Sequence, residues 1–184
     1  MNHSKVRNLT IDAVFLALLI VFAMVPAIPV GFIPVPIVLQ NVAVMLISLL
    51  LGARRGSAVM AIFIMMIAIG MPVLTGGHGG MASLVGPTAG YIWAWLFQPA
   101  AFAFLARFVP KKEGALMPNF FLSFALIFIL DMVLVFGLGS AWLAHVAHMD
   151  FFKAYLGNMA FVPGDMIKVF IATTVATAIQ SRVK

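Results

Sequence analysis

The sequence predicts an all-α integral membrane protein, a bundle of six transmembrane helices with both termini in the cytoplasm. Three observations carry this expectation. Of 184 residues, 64% are hydrophobic and only 9% charged, which leaves too few polar side chains to cover a water-soluble globule of this size. The apolar residues gather into six runs, at about 11–25, 37–51, 57–71, 87–108, 119–138 and 163–179. The basic residues crowd the connections on one side of those runs and nearly avoid the other, the asymmetry that marks cytoplasmic loops.

The first run follows Lys5 and Arg7, as the core of a signal peptide would. It meets Pro26 and Pro29 without a small-residue cleavage site and reads as a retained helix. Ala13 and Ala17 form a small-xxx-small pair on one of its faces, which permits close approach of another helix. The second and third runs flank the tight, basic turn 52–56. Both are short for a hydrocarbon core of about 30 Å, so they are extended by neighbouring residues or seated where the bilayer thins. The fourth starts at Pro87, a residue suited to a first helical turn, just after the glycine-rich stretch 76–80. The fifth carries Asp131, and the sixth opens at Pro163 with Asp165 and Lys168 close behind. These spans use the whole chain, so residues 1–184 form one membrane domain.

Lys5, Arg7, Arg54, Arg55, Arg107, Lys111, Lys112, Arg182 and Lys184 fall on one side, Lys153 alone on the other, and Lys168 inside the sixth run. Both termini are therefore cytoplasmic. Seven of the ten prolines then lie outside, with the glycine-rich loop. Irregular backbone is tolerated near a membrane where protein or a cavity satisfies it, which points to a ligand pocket toward the outer face. The net charge of +6 is a topology signal: no basic stripe interleaved with aromatics marks a nucleic-acid surface. With no cysteine, disulfides, thiolate metal sites and cysteine nucleophiles are excluded.

Ionisable groups inside membrane spans are costly and mark functional sites by default. Asp165 and Lys168, three residues apart, share one helix face, with the acid favoured by the helix N-terminus. They form either a substrate contact or an internal ion pair. Asp131 is either partnered structurally or part of the pocket. Gly77, Gly79 and Gly80 allow backbone to approach a flat ligand closely, but the segment lacks the GxxxxGK[ST] pattern of a phosphate loop. His145 and His148 have a metal-compatible spacing, yet they stand in an outer connection without a supporting cluster and read as solvated. No metal or cofactor is expected. Trp93, Trp95 and Trp142 are interfacial anchors or ligand contacts.

The proline-rich segment Ile33-Pro-Val-Pro36 leading to Gln40, the turn Gly52-Ala-Arg-Arg-Gly56, the stretch from Gly76 to Tyr91, and Val162-Pro-Gly-Asp-Met-Ile-Lys168 together resemble the BioY family, the biotin-specific S components of energy-coupling-factor (ECF) transporters. The resemblance spans most of the chain. The family's Gly-Pro-Thr-Gly-Gly-Tyr signature reads Gly86-Pro-Thr-Ala-Gly-Tyr91, with Ala89 as a departure, and His78 lies within the glycine run.

The resemblance implies capture of biotin at the outer face of the bacterial cytoplasmic membrane, without chemistry on it. It also implies association with a transmembrane T component through Ala13 and Ala17, and with two ATPase subunits. Biotin offers two ureido N–H donors, a ureido carbonyl, an apolar bicycle and a carboxylate tail. Asp165 suits the ureido N–H groups, and Lys168 either the ureido carbonyl or the carboxylate. Tyr91 packs on the bicycle and donates through its hydroxyl, with the glycine loop, Gln40 and Asp131 completing the binding set. The rival readings are an intramembrane enzyme using Asp131 or Asp165, and a scaffold whose polar groups only hold it together.

Overall fold

The computed structural model describes residues 3–29, 34–111, 115 and 117–182. Ile33, Lys112 and Lys184 of the preceding section lie outside these described residues. Among them the regular structure is helical, and β-bridges occur only where Ile28 meets Ile37 and Leu74 meets His78 within loops.

Helix α1 (His3–Ala23) is apolar along most of its length and leaves Leu9, Val14 and Val21 exposed. Such a surface needs lipid against it. Helix α2 (Asn41–Leu50) is the centre of the bundle. Every residue from Val42 to Leu50 is buried, against α1, α3 (Gly52–Ala68), α5 (Ala89–Leu105) and α9 (Val162–Arg182). On α3, Val59, Phe63 and Ile67 face inward while Ile62 and Met65, with Ile69 at its C-cap, are exposed, a helical-period stripe toward lipid.

The run expected at 119–138 is the first part of a longer helix, Phe120–Val146. It consists of α6 (Phe120–Leu130), a π turn (Asp131–Val135) and α7 (Phe136–Val146). Asn119 caps its start by accepting from the Leu122 N–H at 3.0 Å. The apolar pattern continues past Leu138 through residues that membrane helices tolerate, including Gly139. His145 is consequently in the last turn of α7, not in a connection as the sequence reading had it. Among the described residues no group of three or more His, Cys, Asp or Glu is placed to hold a metal.

Two short helices, α4 (Met81–Val85) and α8 (Phe151–Gly157), occupy segments expected to be loops. Three helices, α1, Phe120–Val146 and α9, are long and apolar enough to cross a membrane. With the lipid-type surface of α1 and α3, they make this a multi-pass membrane protein.

Candidate functional site

The connections 34–38, 74–79 and 86–88 gather at one end of the bundle, and beneath them a cavity of about 480 Å³ enters it, a volume in the range of small-molecule sites. Its wall is divided chemically. Ile37, Ile92, Trp95, Phe136 and Phe161 supply apolar and aromatic surface, while Asn41, Asp131, Asp165 and Lys168 bring polar groups from α2, the π turn and α9.

Asp165 and Lys168 are ion-paired, Nζ to Oδ1 at 2.8 Å, and are only 2% and 7% exposed. A lysine paired with one carboxylate oxygen keeps N–H capacity for another acceptor. The Asp165 N–H closes the first turn of α9 on the Phe161 carbonyl at 2.8 Å, so its carboxylate lies at the positive end of that helix. Asn41 donates through Nδ2 to the same Asp165 oxygen at 3.4 Å. Because an amide must offer its NH2 to a carboxylate, its Oδ1 is turned away, and that atom is buried without a partner. Asp131 packs against Asp165 and Lys168 and is 1% exposed, and its Oδ2 also has no hydrogen-bond partner. Buried acceptors left open in a wall are expected to meet a ligand's donors.

Gln40 lines the cavity, but its Nε2 donates to the Leu19 carbonyl at 3.0 Å and the Val73 carbonyl at 2.9 Å, and Oε1 accepts from Thr75 at 3.4 Å. Its amide is a brace between α1, α2 and the loop before the glycines. Tyr91 presents its ring to the cavity. Its hydroxyl, expected to donate to a ligand, donates instead to Asn158 Oδ1 at 2.8 Å. Of the three glycines singled out, Gly79 lines the cavity and Gly77 and Gly80 do not. These two take φ of +73° and +84°, values that glycine adopts readily, and so shape the loop that delivers His78 and Gly79. A side chain on Gly79 would collide with the Met71 carbonyl.

Trp95 reaches the cavity, whereas Trp93 and Trp142 donate to the Leu84 and Gly86 carbonyls at 3.2 and 2.9 Å and hold α4 and its exit in place. Ala13 and Ala17 are exposed on α1 and line no part of the cavity. Sequence reasoning missed Asn41, Asn158 and Ser140. The available signal was a polar residue at an apolar boundary, which ordinary loop residues share.

A multi-pass helical protein built round a ligand-sized cavity, with converging acids, an amide and a lysine, is a membrane-embedded small-molecule binder. More particularly, the model of the BioY family matches residues 1–184, and the chain belongs to that family. It is 35% identical over 181 residues to the biotin transporter BioY of Lactococcus lactis subsp. cremoris, across 98% of this chain and 94% of that one. Against the biotin transporter BioY of Rhizobium etli the identity is 39% over 177 residues, covering 95% and 93%. The solved structure of the S-component for biotin from an ECF-type ABC transporter is similar with a TM-score of 0.90 at 34% identity, covering 98% of this chain and 94% of that one.

Proposed function

We propose that this chain binds biotin at the outer face of the bacterial cytoplasmic membrane and carries it inward as the substrate-specific component of an ECF-type transporter. The observation that carries the reading is the cluster of two acids, an amide and a lysine in the wall of a mainly apolar cavity, complementary to a polar ureido head on an apolar bicycle.

The cluster holds two carboxyl groups and one ammonium. A ligand carboxylate entering it would be a third acid beside a single lysine. The uncharged ureido ring therefore goes in head first, with one N–H on Asp165, the other on one of the open acceptors Asp131 Oδ2 and Asn41 Oδ1, and its carbonyl on Lys168 Nζ. The bicycle lies against Tyr91, Trp95 and Phe136, and the tail points toward the loops that carry His78 and Gly79. Gln40, Gly77 and Gly80 support the walls. Every role here is recognition, so the site performs no covalent step and takes no cofactor.

In the membrane, α1, α2, α3, α5, Phe120–Val146 and α9 are the six crossings, with both termini cytoplasmic, as the distribution of Lys and Arg supports. The exposed Ala13 and Ala17 face supports docking of a T component, through which two ATPase subunits supply the energy.

The test is titration of the purified protein with biotin and with its methyl ester. Saturable one-to-one binding is expected, and Lys168→Met should weaken both ligands while keeping the wild-type preference between them. A Lys168→Met protein that treats ester and acid alike, where wild type prefers the acid, would put the carboxylate on Lys168 and reverse the orientation. Absence of saturable binding would reject biotin as the ligand.

A further inference from the structure

Tyr91 is a wall residue of the cavity whose position is governed by side chains behind the wall. Three atoms of its ring, Cδ1, Cε1 and Cζ, occupy the space that a Cβ on Gly139 would fill. The ring therefore lies over the bare Cα of α7. The approach is close because the preceding residue, Gly90, abuts the Gly139 Cα and the Leu138 carbonyl in turn. Beyond the ring, the hydroxyl donates to Asn158 Oδ1 at 2.8 Å, and Asn158 Nδ2 donates to Ser140 Oγ at 2.7 Å. Asn158 and Ser140 are wholly buried, so neither bond is shared with solvent. The hydrogen-bonded chain joins α5, the 3-10 turn Asn158–Ala160 ahead of α9, and α7.

We propose that Gly139 and Asn158, which line no part of the cavity, are positioning residues that set its width by holding the Tyr91 ring back against α7. The inference rests on biotin as the occupant. Glycine at 139 provides the recess, and Asn158 fixes the ring in it by its hydroxyl. A phenol whose proton is committed to protein offers the ligand its ring face, which suits an apolar bicycle. Any side chain at 139 displaces the ring toward the space the bicycle takes. Loss of the amide at 158 frees the ring to follow.

The experiment is calorimetric titration of full-length protein in detergent with biotin, counting folded molecules by binding stoichiometry. Gly139→Ala should weaken biotin by about tenfold or more, in keeping with the cost of overpacking. In a Tyr91→Ala background, where no ring remains to be displaced, the same change should cost less than about twofold, since coupling vanishes when the shared partner is gone. Tyr91→Phe and Asn158→Ala should each weaken binding, and the combined variant should lose no more than the worse single one. This second cycle does not depend on the folding of Gly139→Ala. Equal losses from Gly139→Ala in both backgrounds, additive losses in the second cycle, or wild-type affinity in folded Asn158→Ala would each overturn the proposal. A wild type that does not bind biotin refutes the occupant, and the positioning role falls with it.

Discussion

Replacing Lys168 with methionine keeps the unbranched stem of the side chain, one atom shorter, and removes its charge, which separates a structural role from a binding one. The ammonium lies 2.8 Å from Asp165, with Asp131 packed beside the pair and all three side chains buried. Removing one partner of a buried pair typically costs about 3–5 kcal/mol, and here it leaves two acids together. Thermal unfolding in detergent should therefore fall well below wild type. Binding by the folded fraction should drop by roughly ten- to a hundredfold, the worth of about 1.5–3 kcal/mol for a hydrogen bond to a charged group. The deciding variant is Asp165→Leu combined with Lys168→Met, because replacing both members of a buried pair by apolar residues is often neutral for folding. It should regain much of the lost stability while its affinity for biotin stays low. Recovery of affinity together with stability would refute the assignment and make the pair a structural ion pair.

Other outcomes follow from the same geometry. Asp165→Asn should weaken biotin more than it lowers the unfolding temperature, because an amide must also place two donors in a buried cluster; unchanged affinity would remove Asp165 from the site. Gln40→Leu leaves the Val73 carbonyl without its donor and takes a second donor from the Leu19 carbonyl, at about 1–3 kcal/mol for the buried group left open. Its thermal midpoint should fall further than its affinity, and the reverse order would make Gln40 a direct ligand contact. Ala13→Trp and Ala17→Trp should leave biotin binding intact and reduce co-purification with a T component; loss of binding with assembly spared would overturn that division. Since the chain has no cysteine, single cysteines report topology cleanly. An impermeant maleimide should label Lys153→Cys in intact cells and reach Arg54→Cys and Arg182→Cys only after permeabilisation.

The membrane class was legible because hydropathy is summed over whole helices, so that α1 or α9 declares itself despite uncertain ends. Asp165, Lys168 and Asp131 were legible for the opposite reason: a single charge in an apolar run is conspicuous, since its desolvation is so unfavourable. Asn41 and Asn158 have no such signature. An uncharged amide at the end of a helix looks like any boundary residue, and their partners lie 124 and 67 positions away in the chain. Tyr91 was found, but the direction of its hydroxyl was not, because Asn158 and ligand are equivalent acceptors until the turn ahead of α9 is in place. Local pattern likewise missed the extension to Val146, which is sustained by contacts of α7 with α5 and α8.

The π turn at Asp131–Val135 has an effect beyond presenting one carboxylate. One surplus residue in a helical turn advances the phase by about 100°, so the two halves of Phe120–Val146 aim their inner faces at different neighbours: α6 packs on α9, and α7 on α5. A single rod thereby acts as a crankshaft, coupling the helix that carries Asp165 and Lys168 to the helix that carries Tyr91. Point substitutions along it alter one side at a time, whereas loss of a single residue within the turn would swing Gly139 out from behind Tyr91 and undo both walls at once. A deletion in the middle of this apolar helix should therefore damage the site more than a substitution at the same place.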